Sequence, residues 1–140
     1  MRIVLAADGS KFTKKALAFL ATHESLAGPD DEVVVVNVQP PMPPRVRTMV
    51  GAAAVNGYHE EEAAKVLAPI EKFLQRKGIS ASCEWKAGEP ASQIVAAAQK
   101  AKAHLIVMGT HGYGMLGRAV MGSVATRVLA ESPIPVLLVK

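Results

Sequence analysis

Residues 31–38 read DEVVVVNV, with four valines in unbroken succession. β-Branched side chains suit an extended backbone. A strand with one wet face would alternate apolar and polar residues. A continuous apolar run is buried on both faces, as in a parallel sheet covered by helices on each side. That stretch sets the expectation of an α/β architecture, and four further apolar segments fit it: RIVLAA at 2–7, SASCEWKA at 80–87, HLIVMG at 104–109 and IPVLLVK at 134–140.

Helical patterns lie between these segments. In 11–28, Phe12, Ala16, Phe19, Leu20 and Ala27 recur at steps of three and four, and Gly28-Pro29 is the expected stop. In 58–77, Ala63, Val66, Leu67, Ile70, Phe73 and Leu74 share one face; Pro69 predicts a kink and Gly78 the end. A third helix is expected over 89–103, with Pro90 in its first turn, and a fourth over about 122–131. Residues 39–56 carry four prolines and no period, and read as a long loop of the lid or disordered kind. The order is βαβαβαβαβ, a parallel sheet with right-handed crossovers and helices on both faces. Ligands of such sheets bind beyond the carboxyl ends of the strands. Here those ends are Ala6-Ala7-Asp8, Asn37-Val38 and Met108-Gly109.

Composition narrows the class. The 140 residues suit one domain over 1–140. The net charge is +4, but the lysines and arginines are scattered and aromatics are 4%, so no nucleic-acid partner is expected. A single cysteine, Cys83, permits no internal disulfide and reads as a buried, inert thiol. No apolar run approaches the ~20 residues of a membrane span, and MRIVLAAD is too short before Asp8 for a signal peptide. A cytoplasmic protein with no membrane partner is expected. His23, His59, His104 and His111 form no metal-type pair, and no metal-binding residue is expected.

The stretch 109–123, GTHGYGMLGRAVMGS, holds five glycines. Its GYGMLG matches G-x-G-x-x-G, but no acidic residue follows on a second strand, so the dinucleotide fingerprint fails. Against the P-loop pattern, Arg118 and Ala119 stand where Lys and Ser or Thr belong. A loop of backbone N–H groups followed by a helix start can nonetheless receive an anion. Side chains at Gly109 and Gly112 would hold a phosphate off, and Ser123 could cap the helix or bond a phosphate oxygen.

The spacing G-x-x-G-x9-G-[ST], met by Gly109, Gly112, Gly122 and Ser123, resembles the nucleotide-binding signature of the universal stress protein family. The resemblance extends over the whole chain, through IVLAADGS, HLIVMGTHG, GSVATRVL and SPIPVLLVK. It departs from the family where Ala6-Ala7 precede Asp8 in place of a common Pro. The resemblance implies an open five-stranded parallel sheet of order 3-2-1-4-5. It implies a site for ATP, with AMP or ADP as alternatives and Mg²⁺ carried by the phosphates. The expected site residues are Ala6, Ala7, Asp8, Val38, Met108, Gly109, Gly112, Gly122, Ser123 and Val124. Asp8 would accept ribose hydroxyls, and backbone at Val38 would line adenine. Arg118 is as readily a solvated side chain as a phosphate contact. The expected function is a nucleotide-responsive stress regulator; a slow ATPase and a nucleotide-free interaction module are the alternatives. The apolar last strand, flanked by Pro133 and Pro135, is expected at a sheet edge that pairs with a second copy.

Overall fold

A computed structural model describes residues 1–112 and 121–140. Five strands form one parallel sheet: β1 (Arg2–Ala6), β2 (Glu32–Gln39), β3 (Ser80–Ala87), β4 (Leu105–Gly109) and β5 (Val136–Val139). Their spatial order is β3-β2-β1-β4-β5, as the family resemblance implied. In the central strand, Val4 lies beside Val34 and Ile106, and Leu5 beside Val35 and Val107. Side chains of successive residues leave opposite faces. Ile3, Leu5, Val33 and Val35 therefore enter one core with α1 (Lys11–Thr22) and α3 (Ala52–Arg76). Val4, Ala6, Val36 and Ile106 enter another with α4 (Pro90–Lys100) and α5 (Ser123–Glu131). The valine run is continuous because both faces are covered.

Helix α1 ends six residues earlier than its apolar spacing suggests. His23 caps it, with its N–H donating to the Leu20 carbonyl and its ring stacked 3.9 Å from that of Phe19. Ala27 still reaches the core, but through the following turn, where its N–H donates to the His23 carbonyl. The segment 39–56 is a larger correction. It is not a long loop: α2 (Pro44–Val50) and the start of α3 occupy most of it. Pro44 sits in the first turn of α2, where a missing N–H does no harm. Gly51, at φ 86°, breaks the chain between the two helices. No α2 residue is buried, so the helix leaves no hydrophobic period in the sequence. Pro69 lies inside α3, which continues through it. Cys83 is half-buried rather than buried, and burial pushes its thiol pKa up, with Glu71 adding to the rise.

Candidate functional site

The crevice begins at the carboxyl ends of β1 and β4, adjacent parallel strands whose following helices cover opposite faces of the sheet, at the switch in strand order. The end of β1 is locked to β2. The Ala7 N–H donates to the Val36 carbonyl (2.9 Å), and the buried Asn37 amide donates to the Ala7 carbonyl (2.9 Å). Gln39 in turn donates to Asn37 Oδ1 (2.7 Å). Asn37 is thus a strand tie, while Val38 beyond it is half-buried beside the crevice.

Asp8 is held by its own loop. Its Oδ1 accepts from the Ser10 N–H (2.9 Å) and the Thr13 hydroxyl (2.8 Å). The Asp8 N–H donates back to Thr13 Oγ1 (3.0 Å). Ser10, not Asp8, caps α1, and Gly9 makes the turn at φ 81°. One carboxylate oxygen is therefore committed to the turn. The other, Oδ2, is the atom a Cβ on Gly112 would crowd, so a side chain there would push the Asp8 carboxylate aside.

Gly109 has a different cause from the one its spacing suggested. A Cβ there would come 2.5 Å from Phe12 Cβ, so its glycine admits α1 rather than a phosphate. The loop then turns back: the Thr110 N–H donates to the Val139 carbonyl (3.0 Å), and the Thr110 carbonyl accepts from the Gly122 N–H (2.7 Å). Gly122 is the N-cap of α5, with no side-chain cap, and Ser123 is the first helical residue. The capping role considered for Ser123 falls to Gly122, and the Gly122 N–H is already engaged. The first-turn N–H groups of α5, from Ser123 onward, are those an α-helix leaves without internal partners. His111 joins the crevice wall, its ring tilted 4.8 Å from that of Phe12.

Ala6, Ala7, Asp8, Val38, Met108, Gly109, Gly112, Gly122, Ser123 and Val124 all line one cavity of about 960 Å³. Met108 is also buried in the α4–α5 core. Arg118 lies outside the described residues. The cavity is at the upper end of the roughly 300–1,000 Å³ usual for small-molecule sites, and it runs on between α1 and α3, past Lys14 and Leu17 to Phe73 and Arg76. No local sequence signal marks that extension, because its two walls belong to helices well separated in the chain, Lys11–Thr22 and Ala52–Arg76. Thr13 was equally hidden, although its place five residues after Asp8, across one turn of helix start, is the signal that could have revealed it. Among the described residues, no three His, Cys, Asp or Glu side chains cluster as metal ligands.

A parallel sheet covered on both faces, with a cavity beyond the carboxyl ends of its strands at the switch point, places the chain in the doubly wound α/β class. The model of the universal stress protein family matches residues 1–140, and the chain belongs to that family. A universal stress protein of Thermus aquaticus is 35% identical, with 99% of this chain and 97% of the relative aligned. Universal stress protein MJ0531 of Methanocaldococcus jannaschii is 43% identical over 58% of this chain; the aligned part spans 48% of that relative. Among solved structures, protein MJ0577 superposes with a TM-score of 0.85 at 27% identity, covering 99% of this chain and 94% of that one. The universal stress protein from Archaeoglobus fulgidus in complex with dAMP gives a TM-score of 0.73 at 26% identity, covering 100% and 98%.

Proposed function

We propose that this chain is a cytoplasmic regulator that binds an adenine nucleotide, ATP or its AMP or ADP products, in the strand-end crevice. The observation that carries this reading is the convergence of the Asp8 carboxylate, the Gly112 backbone and the first turn of α5 on one cavity. The chemistry is complementary. Asp8 Oδ2 is an acceptor suited to ribose hydroxyls. The α5 terminus supplies N–H donors and the positive end of a helix dipole to phosphate. The β2 end near Val38 offers backbone to the adenine edge. Mg²⁺ would ride on the phosphates. The dAMP held by the Archaeoglobus fulgidus relative supports the nucleotide class.

Binding rather than rapid turnover is the reading, because Asp8 Oδ1 is tied up twice and Glu62, also on the cavity wall, is paired with Lys65 at 2.9 Å. Residues 1–140 act as one domain in this account, and two copies pair through β5. The experiment is direct. The protein is purified without added nucleotide and denatured, and the supernatant is resolved by anion-exchange chromatography. An adenine nucleotide near one per chain is expected. Absence of any nucleotide, with no thermal stabilisation by millimolar ATP or AMP, overturns the reading.

A further inference from the structure

A second cavity, of about 310 Å³, lies between α2, the first turns of α3 and the end of β3. It shares no wall residue with the strand-end cavity. Met42, Val55 and Trp85 give it apolar walls, and Arg47, Asn56 and His59 are its polar groups. Arg47 and Asn56 are exposed, which puts them at the mouth. His59 is 4% exposed, and its ring lies 6.0 Å from that of Trp85, tilted by 36°. The buried nitrogen and the largest apolar surface of the wall are thus neighbours. His59 Nδ1 is enclosed and has no hydrogen-bond partner among the described residues. Buried polar groups of native proteins are nearly always paired, and an unpaired one is costly. The side chains of Arg47 and Asn56 likewise make no hydrogen bond or ion pair among the described residues. Three unspent polar side chains therefore converge on one cavity with an aromatic wall, the composition of a small-molecule site.

We propose that this cavity binds a small hydroxylated aromatic carboxylate, with its carboxylate on Arg47 and Asn56, its ring on Trp85 and its hydroxyl on His59 Nδ1. The order of the wall groups selects the order of groups in the ligand. Arg47 is the one charged wall residue among those described, so the ligand's charge is negative. A guanidinium matches a carboxylate in bidentate fashion. At the exposed mouth that charge also keeps part of its hydration. An aromatic ring packs well on the indole of Trp85. A hydroxyl both donates and accepts, so it can pair Nδ1 in either tautomer of the imidazole. Size fits as well: about 310 Å³ is the lower end of the range for small-molecule sites and suits one substituted ring. The inference does not rest on the nucleotide reading, because the two cavities are lined by different residues.

Trp85 is the single tryptophan of the chain, so its emission reports on this wall directly. Titration of the full chain with 4-hydroxybenzoate should change that emission saturably. Calorimetry should show it binding about tenfold more tightly than benzoate, which lacks the hydroxyl, and than phenol, which lacks the carboxylate. Arg47→Gln alters an exposed residue of a helix that buries nothing, so folding is not at stake. It should weaken 4-hydroxybenzoate about tenfold, the order of one charged hydrogen bond, and leave phenol unchanged. His59→Phe keeps an aromatic ring and removes the nitrogen, and it should reduce 4-hydroxybenzoate to the affinity of benzoate. Unchanged emission at millimolar acid overturns the inference. So does equal affinity for the three compounds, which would leave Nδ1 to a bound water, or binding insensitive to Arg47→Gln. Displacement of the acid by AMP would put it in the strand-end cavity, which overturns this inference and leaves the nucleotide reading standing.

Discussion

Asp8 divides its carboxylate between its own turn and the cavity, and Thr13 enforces the division. The Thr13 hydroxyl donates to Oδ1 and accepts from the Asp8 N–H, so it fixes both backbone and side chain. Thr13→Val keeps the shape and removes both bonds. It should weaken AMP binding by about tenfold, the order of one charged hydrogen bond, read by calorimetry, while Ser10 still caps α1. The glycines separate by cause. Gly109→Ala presses a methyl into Phe12 and should lower stability by roughly 1–3 kcal/mol, seen in urea unfolding. Gly112→Ala meets only the tip of Asp8 and should cost binding more than stability. The reverse ranking would contradict this division of labour. At this scale the family resemblance named ten residues of the cavity wall but not why each is there. Glycine spacing is local and can be read along the chain. The contacts of Gly109 with Phe12 and of Asn37 with the Ala7 carbonyl join segments brought together only by folding.

Among the elements, α4 has the most explicit start signal. Glu89 accepts from the Ala91 N–H (3.2 Å) and the Ser92 N–H (2.8 Å), and Pro90 follows in the first turn. Its carboxylate also meets Arg127 of α5 at 2.8 Å. Hydrogen bonds from Ser92, ahead of that from Ala91 and the Arg127 charge, hold the Glu89 carboxyl below the usual glutamate range. A carboxyl lowered on folding stabilises the protein above its unfolded pKa of about 4.3, and that contribution is lost as pH falls through the folded value. Glu89→Gln should therefore cost up to about 1 kcal/mol at pH 7, limited by solvent screening of an exposed pair. The difference from the native chain should close near pH 3 in denaturant unfolding. A gap that stays constant with pH would locate the effect elsewhere. The α4 boundary was readable because caps and prolines are local. Helix α2 was not, because a helix that buries nothing has no period, and α1 looked too long because Ala27 reaches the core from a turn.

At the scale of the whole molecule, the two sheet edges differ. β3 carries Ser80, Ser82, Glu84 and Lys86, a polar and charged edge of the kind that resists pairing. β5 is Val136-Leu137-Leu138-Val139, all half-buried, with β4 on one side. In the proposed pairing a second β5 covers it about a two-fold axis. Light scattering after size exclusion should give a dimer mass at tens of micromolar, and Leu138→Lys a monomer or an aggregate; a native monomer would refute the pairing. Two-sided burial and the position of the crevice followed from the valine run and the βα alternation, since those patterns report burial directly; the strand order came from the family resemblance. The extension of the cavity along α3 followed from neither, because its walls come from two helices far apart in the chain. Nucleotide binding at the strand ends is the central claim, and calorimetric titration of ATP into the full chain tests it most directly. The account predicts saturable one-site binding that Gly112→Val abolishes while the circular dichroism and melting temperature stay near native. No heat from the native chain at millimolar ATP, or equal affinity in the variant, would contradict it.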